Sequence, residues 1–147
     1  MKQKIVPGDV FEVDLKDGSY AYGRVLRNVF GFYDLRASTC PPVEEIVAHP
    51  MIFKIWVMDY AIERRLWRII GHVPLSQELT VTPRFFKKDP ITGRLTITVD
   101  GSQEIPATYD ECKELECAAV WDPEHVEDRL RDHFEGRKNV WYQYLRP

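Results

Sequence analysis

Phe11, Val13 and Leu15 alternate with Glu12 and Asp14, Asp17-Gly18 follows, and the aromatic run Tyr20-Ala21-Tyr22-Gly23-Arg24-Val25 returns at once. Period-two alternation fits a strand with one buried face, and an Asp-Gly pair accepts the positive φ of a tight reversal. These residues are predicted to form a β-hairpin, so the chain begins in antiparallel β structure on which the rest must build. No Ser/His/Asp, metal-ligand or phosphate-binding signature accompanies it downstream.

Further along, Arg36-Ala37-Ser38-Thr39-Cys40-Pro41-Pro42 breaks the β pattern, because proline cannot donate to a ladder. Residues 52–58 and 66–73 are rich in β-branched and aromatic side chains and are predicted to be strands, paired antiparallel across residues 59–65. A second hairpin is predicted from Phe85-Phe86-Lys87-Lys88 and Leu95-Thr96-Ile97-Thr98-Val99 around the turn Asp89–Gly93, with Asp100-Gly101 closing the strand. The period then changes. Thr108 and Glu111 have capping-box spacing, which predicts a short helix through Leu115. Asp122 as N-cap, Pro123 at the first helical position and Gly136 as the stop frame a longer helix, whose Val126, Leu130 and Phe134 form one apolar stripe. Residues 140–145 read as a last strand or extended segment. The expected fold is α+β and mostly antiparallel β: a bent sheet or partial barrel with a C-terminal helix packed on one face, residues 1–147 forming a single domain.

With 44% hydrophobic and 29% charged residues among 147, the composition is that of a globular chain able to bury about two-thirds of its unfolded surface. No stretch approaches the ~20 apolar residues of a membrane span, and the N-terminus lacks a secretory apolar core, so a cytoplasmic location is expected. Cys40, Cys112 and Cys117 are odd in number, which favours reduced, mostly buried thiols over a disulfide framework.

Candidate chemistry is sparse. The four histidines and three cysteines contain no CxxC, HxxH or HExxH pair, so no metal site is assigned. There is no GxSxG elbow, and no glycine opens a helix after a strand, so neither catalysis nor a cofactor is expected. A nucleic-acid-binding module is the alternative function: Arg24, Arg27, Arg84, Lys87 and Lys88 stand beside Tyr20, Tyr22, Phe85 and Phe86, which could stack bases. Against it, the chain carries a net charge of −3.

That charge is concentrated. Residues 110–135 hold ten acidic and three basic side chains, a net of −7, while residues 1–109 carry +1 and 136–147 carry +3. On the predicted helix, Glu124, Asp128, Asp132 and Glu135 fall on the side away from Val126 and Leu130. Like charges four apart each cost about 0.2–0.5 kcal/mol in an isolated helix, a cost that a basic partner would offset. The competing reading is a solvated helix face.

Taken in order, Gly8-Asp9-x-Phe11, Asp17-Gly18-x-Tyr20-Ala21-Tyr22-Gly23-Arg24-Val25, Phe53-x-x-Trp56-Val57, Trp67-x-Ile69-Ile70-Gly71-x-Val73-Pro74 and Ala119-Val120-Trp121-Asp122-x-x-His125-Val126-Glu127-x-Arg129-Leu130 resemble the immunity protein 26 family of bacterial polymorphic toxin systems. The resemblance implies a cytoplasmic antidote that binds a cognate toxin domain and blocks it without catalysis. It supplies no binding residues, since the shared glycines and tryptophans read as fold determinants; Trp56, Trp67, Trp121 and Trp141 are expected to be scaffold, with any exposure of Trp141 counting toward a binding patch. If the toxin is a nuclease with a basic active surface, the ridge Glu124, Asp128, Asp132 and Glu135 is the toxin-binding candidate, imitating a phosphate backbone.

Overall fold

The computed structural model describes residues 1–99 and 103–147, so Asp100 and Gly101, assigned above to a strand end, lie outside the described residues. In chain order the elements are β1 (Asp9–Asp14), β2 (Tyr20–Val25), β3 (Phe30–Ala37), α1 (Val43–Ile46), β4 (Met51–Val57), α2 (Tyr60–Glu63), β5 (Arg68–His72), a 3-10 turn (Gln77–Thr80), β6 (Phe85–Lys88), β7 (Leu95–Val99), β8 (Gln103–Pro106), α3 (Tyr109–Cys112), β9 (Glu116–Cys117), β10 (Val120–Trp121), α4 (Pro123–Glu135) and α5 (Val140–Tyr144). The strands form two open sheets, ordered β10-β4-β3-β2-β1-β5 and β8-β7-β6-β9, with no closed barrel among the described residues. All pairings are antiparallel except β10 with β4 and β6 with β9. The α+β, mostly antiparallel expectation is met, distributed over two sheets.

The opening hairpin forms as predicted, Asp14 opposite Tyr20, with Lys16 and Gly18 both at positive φ in the turn. Gly23 is required by packing: a Cβ there would collide with the Phe11 ring and lie 2.8 Å from the Gly31 carbonyl oxygen. One face of the larger sheet buries Phe11, Val13, Phe30, Phe32 and Ile55 against Trp67, Ala61 and Ile62 near α2, and Val126 and Leu130 of α4. Trp67 stacks on Phe11 with ring centroids 5.4 Å apart. The opposite face packs Val10, Tyr22 and Tyr33 against Ile46 of α1. Each buried aromatic of this kind contributes about 1.5–3 kcal/mol of transfer free energy. Trp56 of β4 meets Phe85 of β6 at 4.6 Å between centroids and joins the two sheets.

Three predicted features are corrected. β4 and β5 do not pair: β4 lies between β3 and β10, whereas β5 adds to β1 at the opposite edge. The intervening residues form α2 and a left-handed Arg65, and the Trp67 amide bonds back to the Ala61 carbonyl, so no hairpin turn is available. Residues 140–145 hold a helix rather than a strand. Asn139 caps it through the Tyr142 amide at 2.9 Å, and Tyr142 and Leu145, three residues apart, pack on the main core. The capping box at Thr108 and Glu111 is present in both directions, but α3 ends at Cys112, short of Leu115. Among the described residues no helix is long and apolar enough to cross a membrane.

Candidate partner-binding face

α4 is set by its ends. Asp122 accepts the Glu124 amide at 2.9 Å, Pro123 occupies the first turn, and Gly136 closes the helix at φ 70°. With Val126 and Leu130 buried, Glu124, Asp128, Asp132 and Glu135 lie on the side expected of them, half-exposed or exposed. The structure nevertheless engages three of the four within the chain. Asp128 pairs with Arg131 and accepts from the Trp141 indole nitrogen at 3.2 Å. Asp132 accepts from Arg137 Nε at 3.1 Å and Asn139 Nδ2 at 2.9 Å, which fastens the helix end to α5. Glu135 pairs with Arg36 of β3 at 2.7 Å. Only Glu124 has no ion pair among the described residues.

The same holds along the acidic segment. Glu127, nearly buried, accepts from Trp67 Nε1 at 3.0 Å and pairs with Lys16 at 2.9 Å. That hydrogen bond and the charge of Glu127 hold the Lys16 ammonium above its ordinary 10.5. Glu116 takes Arg129 in a bidentate pair at 2.9 and 2.8 Å, while the Arg129 guanidinium lies 3.8 Å from the Phe53 ring centroid and 4.4 Å from that of Tyr142. Much of the acidity that reads as a surface in the sequence is thus internal fastening for α4.

Beside the ridge lies a surface around Trp141, whose exposure was expected to count toward a binding patch. Trp141 stacks on His125 at 3.7 Å between centroids and 13° between planes, and remains 38% exposed. With Val120 and Tyr144 these rings line a hollow of about 170 Å³, Tyr144 being 85% exposed. Trp67 and Trp121 are buried scaffold as expected, Trp56 is half-buried against Phe85, and Trp141 is the most exposed of the four. Reading residues 140–145 as a strand hid this face, because alternation would put Tyr144 on the same side as Tyr142, whereas the helix turns Tyr142 and Leu145 inward and leaves Trp141 and Tyr144, three residues apart, on the surface.

The residues proposed to bind nucleic acid do not assemble into a stacking platform. Tyr22, Phe85 and Phe86 are buried, and Arg24 is itself enclosed, donating to Gly8 O and the Tyr33 hydroxyl at 3.0 Å and to the Val73 carbonyl. Lys87 is paired with Glu104. Cys40, Cys112 and Cys117 are all free, but Cys40 is exposed, contrary to the expectation of mostly buried thiols. Among the described residues no three His, Cys, Asp or Glu side chains converge on a metal-sized site.

A family model described as Immunity protein 26 matches residues 6–95, which run from just before β1 through the turn into β7. The motifs from Gly8 to Pro74 fall inside that range, and the Ala119–Leu130 motif lies beyond it. No curated protein and no solved structure matches the chain. The match spans well over half of the 147 residues and contains the hairpin, the Trp67 core and the Gly23 packing described above, and by it the chain belongs to the immunity protein 26 family.

Proposed function

We propose that this protein is a bacterial cytoplasmic immunity protein that binds a cognate toxin domain stoichiometrically and neutralises it without catalysis, residues 1–147 acting as one unit. The family match over residues 6–95 carries the reading. The toxin's active surface is basic, as a nuclease's would be, and the ridge Glu124, Asp128, Asp132 and Glu135 faces it. Supporting this, Glu124 is exposed and unpaired among the described residues, and the side chains of Asp128 and Glu135 stay 43% and 45% exposed even within their ion pairs.

A tagged pull-down from the native host, with and without nuclease treatment, tests the function. A nuclease-resistant, equimolar complex with a protein carrying a toxin domain is the expected result. Retained nucleic acid, with protein partners lost on digestion, would replace it with the nucleic-acid reading. Glu124→Lys is the clean probe of the ridge, because Asp132 also holds α5 in place. Its expected effect on the toxin complex is a several-fold higher Kd and a shallower dependence on salt.

A further inference from the structure

The hollow beside Trp141 is one of a pair. Val120 belongs to the walls of both: on one side to the 170 Å³ hollow with His125, Trp141 and Tyr144, on the other to a shallower hollow of about 480 Å³ with Met58 and Tyr60. The Tyr60 hydroxyl donates to Asp122 at 3.0 Å and ties the two together. Val120 lies on β10, the edge strand of its sheet, and is 58% exposed; Met58 is 44% exposed. Isolated surface apolar groups need no explanation, but a contiguous set built around Trp and Tyr has the composition of an interface centre. Trp141 is pre-set for this use, since His125 supports its ring and Asp128 holds its indole nitrogen, so little rotamer freedom remains to be lost on binding.

The charge around the pair selects the partner. Asp59, Glu63 and Asp122 line the hollows, no Lys or Arg does, and the unpaired Glu124 follows Asp122 by two residues. Arg64 is laid over the Tyr60 ring at 5.1 Å, and Lys2 stands 3.8 Å from Glu63. An aromatic floor with a carboxylate rim suits Arg and Lys side chains, whose stems pack on rings while their charges reach carboxylates. The same rim repels nucleic acid and anionic lipid.

Resting on the immunity reading, we infer that this double hollow is the anchor of the toxin interface: it receives a cationic protein surface whose Arg or Lys side chains lie across Trp141 and Tyr144, and the α4 ridge forms the rim beside it.

The test places a photo-crosslinking amino acid at Val120 or Tyr144 in the full chain, with Val81 and Ile91, exposed apolar residues in other loops, as controls. Irradiation in host lysate is expected to join positions 120 and 144 to the same basic toxin domain that the unmodified protein retains, and positions 81 and 91 to leave it free. With that purified toxin domain as probe, Val120→Lys and Tyr144→Ala are each expected to raise Kd about 30-fold or more. Asp59→Lys is expected to lower the salt slope. Circular dichroism and an unchanged Tm verify that the variants fold, as the exposure of both positions leads one to expect. If the toxin is retained but crosslinks only from 81 or 91, or if both variants bind it normally, the anchor is overturned while the immunity reading stands. An adduct of twice the chain mass overturns it in favour of self-association through β10. If the unmodified protein retains no toxin domain, the immunity reading itself fails and the anchor with it.

Discussion

Single residues carry the packing in a way that makes their substitution informative. Arg129 is 9% exposed, doubly bonded to Glu116 and stacked on Phe53 and Tyr142. Removing a partner from a pair this enclosed leaves a carboxylate without compensation, so Arg129→Ala is expected to cost about 3–5 kcal/mol in urea unfolding. Arg129→Lys should recover little, since an ammonium can neither fork onto both Glu116 oxygens nor lie flat between rings. A loss below about 1 kcal/mol for the alanine variant would mean that the pair is merely decorative. Gly23→Ala is the complementary test: the added methyl meets the Phe11 ring and the Gly31 carbonyl, and overpacking of this kind costs about 1–3 kcal/mol. Gly93→Ala, with open space around its Cβ but φ 73°, should cost only the left-handed backbone strain, about 1 kcal/mol.

At the scale of elements, the two C-terminal helices depend on each other. Asn139 both caps α5 through its side-chain oxygen and donates its amide to Asp132 near the end of α4. Asn139→Ala therefore removes a cap and a partly buried hydrogen bond together. The expected cost is about 1–3 kcal/mol, with tryptophan fluorescence reporting Trp141 leaving His125 before global unfolding. Coincident fluorescence and far-ultraviolet transitions would show instead that α5 is inseparable from the rest. Asp122→Ala should cost about 1 kcal/mol at the start of α4 and also release the Tyr60 hydroxyl.

For the whole molecule, the pH dependence has a definite sign on each side. Burial pushes the Cys112 and Cys117 thiols above 9.0; burial first, and then Glu12, push Tyr22 far above 10.0; and Glu127 holds Lys16 above 10.5. The folded chain binds these protons more tightly than the unfolded one, so the associated stability is complete below about pH 9 and is lost as pH rises beyond it. On the acid side, the Ser19 hydroxyl holds Asp17 below 3.8, the Thr92 and Ile91 amides hold Asp89 below 3.8, and the Thr108 amide holds Glu111 below 4.5. Their contribution is present above about pH 5 and is lost as pH falls through the folded values. A Tm profile from pH 3 to 11 is expected to form a plateau between about pH 5 and 8.5 with a fall on both sides. A Tm that keeps rising from pH 8.5 to 10.5 would contradict the assignment of the buried thiols and Tyr22.

The features that the amino-acid order determined alone are those written in short-range chemistry. Alternation around Asp17-Gly18, the Asp89–Gly93 turn, the Thr108–Glu111 box and the Asp122-Pro123…Gly136 frame each join residues within a turn or two, and each appears in the structure. Strand order, the placement of β5 beside β1, and the anchoring of α4 on the sheet were decided by contacts between distant residues: Arg36 with Glu135 across 99 positions, Arg131 with the Leu15 carbonyl across 116. No local pattern specifies such pairs, because many arrangements of the same strands satisfy the same alternation and only mutual packing of the cores separates them. The aromatic run 140–145 shows the limit most directly. Its β propensity favoured a strand, but Asn139 and the neighbouring core made it a helix, and that tertiary choice placed Trp141 and Tyr144 on the surface beside Val120.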